Sequence, residues 1–189
     1  MTSRTAKTAP FDETRWTRRP LNFDPAHGRR GTHDLYEVHL PVTAGAGAAT
    51  AAKSAAMALM RYRIFPPSRM RAHVCSPDER ITAGVTVIQR VFIGPMALEM
   101  AVRVLDVFAD QDGPHGTGFT YGTVQGHSER GLATFSIHAA SSDSLLFRIE
   151  SWSRPGNALA YFGRPVARLV QRTFTREALE YFRGHFRDG

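Results

Sequence analysis

The chain has 189 residues, and this length suits one domain with a sizeable hydrophobic core. Its formal net charge is +7, and almost all of the basic excess is arginine, since Lys7 and Lys53 are the only lysines. A basic surface can attract nucleic acid or anionic lipid, but no zinc-finger spacing, lysine-rich run or glycine-bounded nucleic-acid loop accompanies the charge. The sequence therefore predicts no specific nucleic-acid partner.

The chain shows no targeting or membrane-spanning signal. No apolar run approaches the roughly 18 residues that a transmembrane helix needs. Residues 1–11 are polar and lack the apolar stretch of a secretory signal. Cys75 is the only cysteine, which excludes an intrachain disulfide and agrees with a reducing compartment. We expect a cytoplasmic protein without a transmembrane segment.

The first part of the chain differs from the rest. Residues 1–34 are rich in arginine, threonine, proline and glycine, and they lack hydrophobic periodicity. This composition predicts an N-terminal arm that is flexible at its start. Trp16, Leu21 and Phe23 are expected to anchor the arm across the domain. The domain itself is expected to span residues 35–186.

Hydrophobic spacing predicts the secondary structure of the domain. A short strand over 34–40 precedes an alanine-rich helix over 50–64, which ends before Pro66. Six strands with short connections follow and are expected to pair antiparallel. These strands are predicted over 71–76, 82–93, 96–109, 116–124, 132–139 and 145–152. A long amphipathic helix over 158–183 closes the chain, and its main part is expected to begin at Pro165.

This order of elements predicts an α+β fold of the helix-grip type, in which a curved antiparallel sheet wraps around the C-terminal helix. A cavity is expected between the two, because a strongly curved sheet does not fill its own concavity. The arginines of the last helix step along the face opposite its apolar side chains. They are Arg164, Arg168, Arg172 and Arg176. We interpret this stripe as mainly solvent-facing, with contact to an anionic partner as the alternative.

Three short motifs give the chain a resemblance to a known family. The most specific is Gly118-Phe-Thr-Tyr-Gly-Thr-Val-Gln-Gly-His127, followed by Ser153-Arg154-Pro155 and Gly163-Arg164-Pro165. They resemble the domain-of-unknown-function family nineteen-ninety of bacteria and plants. That family usually has a tryptophan at the position that Tyr62 occupies in this chain. The resemblance implies membership of the birch-pollen-allergen-like superfamily, which includes lipid-transfer domains and polyketide cyclases. It implies no particular reaction.

The motifs contain the candidate catalytic residues. His127 is the best single acid–base candidate, because only histidine titrates near neutrality without help. Tyr121 is a candidate proton donor, and the planar guanidinium of Arg154 is a candidate anion stabiliser. A scaffold role is the alternative for each of the three. If the motifs form one site, His127 or Tyr121 is expected within reach of Arg154 or of the start of the last helix.

Apolar side chains of the strands and of the last helix are expected to line the cavity. Phe119, Tyr121 and Thr123 share one strand face by alternation. The expected ligand-binding residues are Phe119, Tyr121, Thr123, Phe135, Phe147, Trp152, Leu169 and Phe174. No two histidines have metal-ligand spacing with a carboxylate, and no dinucleotide or Walker loop occurs, so neither a metal nor a cofactor is predicted.

These observations leave three functions open. The leading interpretation is a protein that binds a small apolar or amphipathic molecule in the cavity. The second is a cofactor-independent cyclase or isomerase that uses the same cavity. The third is an interaction protein that uses the basic helix face. The first two differ in whether polar groups converge inside the cavity or only line its rim.

Overall fold

The computed structural model describes residues 9–27, 29–42, 48–110, 116–141, 144–156 and 164–184, and in the last of these segments it describes side chains from residue 173 onward. Within these ranges the chain forms seven β-strands, three α-helices and a short 3-10 helix at Pro25–His27. No helix of the described residues is long and apolar enough to cross a membrane.

The seven strands form one antiparallel sheet in the order β1-β7-β6-β5-β4-β3-β2. Each strand from β2 to β7 pairs with its neighbour in sequence, and β1 pairs with β7 at the far edge. The strands are β1 (Thr32–Pro41), β2 (Met70–Val74), β3 (Thr86–Ile93), β4 (Met96–Asp110), β5 (Gly116–Thr123), β6 (Glu129–Ser141) and β7 (Ser144–Pro155). The predicted run of antiparallel strands is confirmed.

Three α-helices cover the sheet. They are α1 (Glu13–Thr17), α2 (Ala48–Met60) and α3 (Arg164–Gly184). The sequence predicts α2 as far as residue 64, but the helix ends at Met60 because Tyr62 has a left-handed φ of 55°. The carbonyl oxygen of Met60 then accepts a hydrogen bond of 2.8 Å from the backbone N–H of Ile81.

Helices α2 and α3 lie on one face of the sheet, which we call the inner face. The inner face carries Phe119, Phe135 and Phe147, each at most 2% exposed. Phe182 of α3 stacks on Phe147 with 4.3 Å between ring centroids, so the last helix packs against the sheet as predicted. This arrangement of a curved sheet gripping a C-terminal helix is the helix-grip fold.

The N-terminal segment covers the opposite face, which we call the outer face. Trp16 of α1 is 1% exposed and packs with Ile88, Ala101 and Val124. Leu21 forms an isolated β-bridge with Val124. Strand β3 is therefore covered on both sides, and every one of its residues before Ile93 is buried.

A buried ion pair fixes the N-terminal segment to the outer face. The guanidinium of Arg90 on β3 donates a 2.7 Å hydrogen bond to the carboxylate of Glu99 on β4, and it also donates to the carbonyl oxygens of Ala9 and Pro10. Glu99 in turn accepts a 2.8 Å hydrogen bond from the indole N–H of Trp16. The three side chains thus satisfy one another's hydrogen-bonding groups beneath α1, where contact with water is reduced.

Candidate functional site

A buried polar pair lies on the inner face beneath the end of α2. The side-chain amide of Gln89 donates a 2.5 Å hydrogen bond to the hydroxyl oxygen of Tyr62. Tyr62 is 4% exposed and Gln89 is 3% exposed. The left-handed turn at residue 62 directs the phenol away from the helix and into the core. An amide and a phenol therefore meet in an apolar interior, where each needs a hydrogen-bond partner.

Tyr121 of β5 brings a second phenol to this pair. Its ring centroid lies 5.4 Å from that of Phe135 and 6.4 Å from that of Phe119. Its hydroxyl interacts by hydrogen bonding with Gln89 and Tyr62. We call Tyr62, Gln89 and Tyr121 the inner-face cluster. It is a polar centre surrounded by aromatic rings.

Burial holds both phenols in the neutral form. It raises the pKa of Tyr62 well above the ordinary value, and the nearby phenol of Tyr121 adds to the shift. It raises the pKa of Tyr121 to about 12, although hydrogen bonds with Gln89 and Tyr62 act in the opposite direction. A neutral phenol both donates and accepts hydrogen bonds. The inner-face cluster is therefore suited to a neutral polar group, such as a carbonyl or a hydroxyl.

The carboxyl group of Glu129 lies near Tyr121, and that of Asp34 lies near Glu129. Burial raises the pKa of Glu129, the first residue of β6, and the negative charge of Asp34 on β1 raises it further. The charge of Glu129 also contributes to the raised pKa of Tyr121. A carboxyl group whose pKa is raised by burial, close to a phenol, is a candidate proton carrier.

Thr123, which the sequence places in the ligand site, connects parts of the scaffold. Its hydroxyl donates a 2.6 Å hydrogen bond to the side-chain oxygen of Asn22 and accepts one of 3.0 Å from the backbone N–H of Gly131. The amide nitrogen of Asn22 donates to the carbonyl oxygen of Glu129 at 2.8 Å. Thr123 thus joins the N-terminal segment to β5 and β6, and its hydroxyl is engaged in these contacts.

His127 lies in the turn between β5 and β6. Its Nδ1 accepts a 3.0 Å hydrogen bond from the backbone N–H of Glu129, and its own backbone N–H donates to Val124 at 3.1 Å. Burial lowers the pKa of His127 to about 4. The imidazole is therefore neutral at neutral pH with Nδ1 already engaged. This geometry matches the scaffold role of His127.

Two other predicted site residues lie on the outer face. Trp152 and Arg154 have the opposite parity on β7 from Phe147, so their side chains point away from the inner face. The ring of Trp152 stacks on that of His33 at 4.5 Å, and Arg154 is exposed. The structure does not bring either side chain together with Tyr121, so a role of Trp152 or Arg154 in binding or catalysis stays a prediction.

The two sequence motifs nevertheless meet at one end of the sheet. Glu129 pairs with Pro155 in the ladder between β6 and β7. The backbone N–H of Gly156 donates a 2.8 Å hydrogen bond to the carbonyl oxygen of Ser128, the residue after His127. The turn that carries His127 is therefore adjacent to the end of β7 that carries Arg154. The contact is made by backbone groups and by Arg130, whose Nε donates a 3.1 Å hydrogen bond to the carbonyl oxygen of Gly156.

The aromatic residues predicted to line the site divide into two groups. Phe119 and Phe135 stack at 5.3 Å and border the inner-face cluster. Phe147 stacks on Phe182 of α3 and belongs to the packing between sheet and helix.

Helix α3 supplies the remaining predicted residues. Phe174 is half-buried, and the guanidinium of Arg69 lies 5.9 Å from its ring centroid. Arg69 also donates a 2.6 Å hydrogen bond to Glu177. Arg176 is exposed, as expected for the arginine stripe. The side chains of Leu169, Arg164, Arg168 and Arg172 lie outside the described residues, so the role of the stripe stays a prediction.

Sequence reasoning missed Gln89, Glu129 and the site role of Tyr62. A signal for Gln89 exists in the strand Thr86-Val-Ile-Gln-Arg-Val-Phe-Ile93, since alternation puts this polar residue on the same face as Val87 and Val91. Nothing local identifies Tyr62 or Glu129, because their positions depend on the end of α2 and on the register of β6.

The fold is shared with solved structures of low sequence identity. The hypothetical protein jhp0584 from Helicobacter pylori has a TM-score of 0.62 at 9% identity, over 87% of this chain and 95% of that one. A START superfamily protein from Mycobacterium smegmatis has a TM-score of 0.55 at 15% identity, over 82% and 97%. Ara h 8.0201 has a TM-score of 0.52 at 10% identity, over 84% and 99%. The chain therefore has the helix-grip fold that these structures share.

Within that class the chain belongs to the family described as Domain of unknown function (DUF1990), whose model matches residues 15–181. It is also similar to the UPF0548 protein At2g17695 of Arabidopsis thaliana, with 35% identity over 68 residues. That match covers 36% of this chain and 33% of the plant protein. The resemblance inferred from the Gly118–His127 motif is confirmed.

Proposed function

We propose that the protein binds a small amphipathic molecule between the inner face of the sheet and α3. The observation that carries this proposal is the inner-face cluster, in which Tyr62, Gln89 and Tyr121 converge among aromatic rings. Ligand pockets characteristically combine an apolar lining with a few convergent polar groups. The helix-grip fold supports the proposal, because the site lies where such a fold encloses space between sheet and helix.

The charges of the cluster restrict the polar end of the ligand. Both phenols stay neutral, so they offer hydrogen bonds without charge. The carboxyl group of Glu129 lies near Tyr121, and its negative charge disfavours an anion there. The preferred ligand therefore has a carbonyl, hydroxyl or amine at its polar end and an apolar body that packs on Phe119 and Phe135.

An enzyme of the cyclase or isomerase type is the second candidate, and Glu129 is the observation that favours it. Polar groups converge at the inner face, and a carboxyl group whose pKa is raised by burial holds its proton to a higher pH than a solvated one does. In this version Tyr121 would donate a hydrogen bond to a developing oxyanion and Glu129 would carry the proton. Replacing Glu129 by Gln would abolish turnover while leaving binding measurable, whereas a pure binding protein shows no turnover to lose.

Binding of an uncharged fluorescent probe tests the leading proposal. Nile red, which is apolar with one carbonyl group, is titrated into the purified full chain and into the Tyr121→Phe variant. Removal of one hydrogen bond is expected to weaken binding by about 2- to 10-fold. The matched control is Trp152→Ala on the outer face, which should leave the affinity unchanged.

The outcomes of this titration are distinct. Saturable binding that weakens in Tyr121→Phe and not in Trp152→Ala supports the site. Equal affinity in all three proteins, or loss of binding in Trp152→Ala alone, would place the probe elsewhere and overturn the proposal. Native mass spectrometry of the untreated protein then identifies any molecule that co-purifies with it.

The cytoplasm is the proposed compartment, and its support is the single cysteine, Cys75. The division into an arm over 1–34 and a domain over 35–186 is part of the same proposal. Cell fractionation tests the first statement, and recovery of the protein with a membrane or secreted fraction would contradict it. Limited proteolysis tests the second, since cleavage is expected first near the N-terminus.

A further inference from the structure

Three potential metal ligands meet on the outer face, away from the inner-face cluster. They are the carboxylate of Glu13, the imidazole of His73 and the thiol of Cys75, and their ligand atoms all lie within 4.8 Å of one another. The Nε2 of His73 is 2.8 Å from the Oε1 of Glu13. Carboxylate, imidazole and thiolate are the three donor types that bind zinc in proteins.

The position of His73 and Cys75 follows from strand geometry. Residues two apart on an extended strand point to the same side. His73 belongs to β2, and the ladder continues one residue further, because the backbone N–H of Cys75 donates a 2.9 Å hydrogen bond to the carbonyl oxygen of Thr86. Val74, between them, points into the core and is 5% exposed. The imidazole and the thiol therefore both point to the outer side of the sheet.

Helix α1 brings the third ligand from a distant part of the chain. Trp16, one turn after Glu13, is buried and hydrogen-bonded to Glu99, so it fixes α1 on the sheet. The ring of Phe11 stacks on that of His73 with 5.4 Å between centroids and restricts the orientation of the imidazole. Two of the three ligands are therefore held by neighbours that do not take part in the cluster.

We propose that Glu13, His73 and Cys75 bind a zinc ion that fastens α1 to β2. Zinc bonds of about 2.0 to 2.3 Å in tetrahedral geometry separate ligand atoms by roughly 3 to 4 Å. The present ligand atoms lie within 4.8 Å of one another, with 2.8 Å between His73 and Glu13, so small side-chain movements reach that geometry. Three protein ligands leave the fourth position to water. The ion holds the N-terminal segment on the outer face, and this role is independent of the function proposed for the inner face.

The sequence gives little indication of this site. His73 and Cys75 form a two-donor pair, and the third ligand is 60 residues away along the chain. The three ligands have none of the regular spacing that marks a metal site in a sequence, so no metal is predicted from the residues alone. Only the docking of α1 on the outer face completes the donor set.

Cobalt(II) is the probe that tests the proposal, because its thiolate complexes have a characteristic charge-transfer absorption. The full chain is freed of metal with a chelator, titrated with Co²⁺, and then titrated with Zn²⁺. We expect one equivalent of Co²⁺ to produce the thiolate band and Zn²⁺ to remove it by competition. The band should be absent in Cys75→Ala, with the fold of the variant checked by circular dichroism.

Two further variants separate metal binding from a simple ion pair. Glu13 is exposed, so Glu13→Gln should fold normally. Loss of a residue that only hydrogen-bonds to a metal ligand lowers metal affinity by about 10-fold. Loss of a ligand itself in Glu13→Gln should therefore lower the Co²⁺ affinity by at least about 10-fold. The matched control is His33→Gln, because His33 makes a similar 2.9 Å contact with Glu150 on the outer face but has no cysteine beside it. The control should bind Co²⁺ as the unmodified chain does.

Proteolysis provides a second readout that does not depend on absorption. Trypsin cleaves after arginine, and Arg15, Arg18 and Arg19 lie in or just after α1. Zinc should slow cleavage at these sites in the unmodified chain and in His33→Gln but not in Glu13→Gln. Absence of the thiolate band, or equal Co²⁺ affinity in Glu13→Gln and the unmodified chain, would overturn the proposal and leave Glu13 and His73 as an ion pair only.

Discussion

The side-chain amide of Gln89 donates its hydrogen bond to the phenol of Tyr62 across 27 residues of sequence, at a distance of 2.5 Å. This contact joins Tyr62, which follows the C-terminal end of α2, to the middle of β3. Both side chains are nearly fully buried, so neither can exchange its partner for bulk water. The pair therefore contributes to stability as well as to the candidate site, and mutation can separate the two contributions.

Tyr62→Phe is expected to lower the free energy of unfolding by about 1–3 kcal/mol, because it removes the hydroxyl that accepts from Gln89 and that also bonds with Tyr121. Removal of both polar groups in Tyr62→Phe/Gln89→Leu should cost less than the sum of the two single changes, because each single change already breaks the hydrogen bond between the two side chains. Urea unfolding of the four proteins measures this. Strict additivity of the single effects would contradict a direct interaction.

The lowered pKa of His127 predicts a pH dependence of stability. Unfolding raises this pKa from about 4 to its ordinary value of 6.5, so the unfolded chain binds more protons between these values. Stability therefore decreases as the pH falls through this window, by about 2 kcal/mol between pH 7 and pH 5. The measurement is urea unfolding at both pH values.

His127→Asn is the matched variant for this effect. The side-chain oxygen of asparagine can accept the hydrogen bond from the backbone N–H of Glu129 but does not titrate. The difference in stability between pH 7 and pH 5 should be smaller in this variant than in the unmodified chain. The opposite trend from Glu129, whose raised pKa lowers stability as pH rises, is present in both proteins and cancels. Identical pH profiles would show that His127 does not titrate as described.

The two tryptophans should differ widely in their effect on stability. Trp16→Ala removes a side chain that is 1% exposed, and such truncations cost about 3–5 kcal/mol. Trp152→Ala removes a partly exposed ring that stacks on His33, and the expected cost is about 1 kcal/mol or less. Thermal and urea unfolding of both variants test the comparison. Equal costs would mean that the N-terminal segment is not docked on the outer face in solution.

The first glycine of the Gly118–His127 motif is expected to be irreplaceable for steric reasons. A Cβ at Gly118 would overlap the backbone carbonyl oxygen of Phe135 on the neighbouring strand. Gly118→Ala should therefore destabilise the protein by more than about 1 kcal/mol. Gly184→Ala is the matched control, because a Cβ there meets nothing within 4 Å, and alanine favours the helix by up to about 1 kcal/mol. A tolerated Gly118→Ala, measured by its melting temperature, would show that β5 and β6 can separate at this point.

The strand order and the last helix could be predicted from the sequence because both depend on local patterns. Alternation and short connections define neighbouring antiparallel strands, and the Gly118–His127 motif identifies the family. The face of β7 on which each side chain lies could also be predicted, because side chains alternate between the two faces of a strand. Trp152 lies five residues after Phe147, an odd number, so the two side chains cannot share a face of a regular strand.

The candidate site was less accessible to sequence reasoning. Tyr62, Gln89 and Tyr121 come from three elements, and their meeting depends on where α2 ends and on which side of the sheet it packs. Helix α1 has five residues, too few to show hydrophobic periodicity, and its burial follows from one side chain, Trp16. These features are determined by tertiary packing, which a single sequence does not display.

The edge position of β1 has a consequence for how the chain reaches its native state. Strands β2 to β7 each pair with the next strand along the chain, across a short connection. Strand β1 instead pairs with β7, which is the most distant strand in the sequence. The entropic cost of loop closure therefore falls mainly on this one pairing. We expect β1 to join last, so in pulsed hydrogen exchange during refolding the amides of β1 should acquire protection after those of β4 and β5.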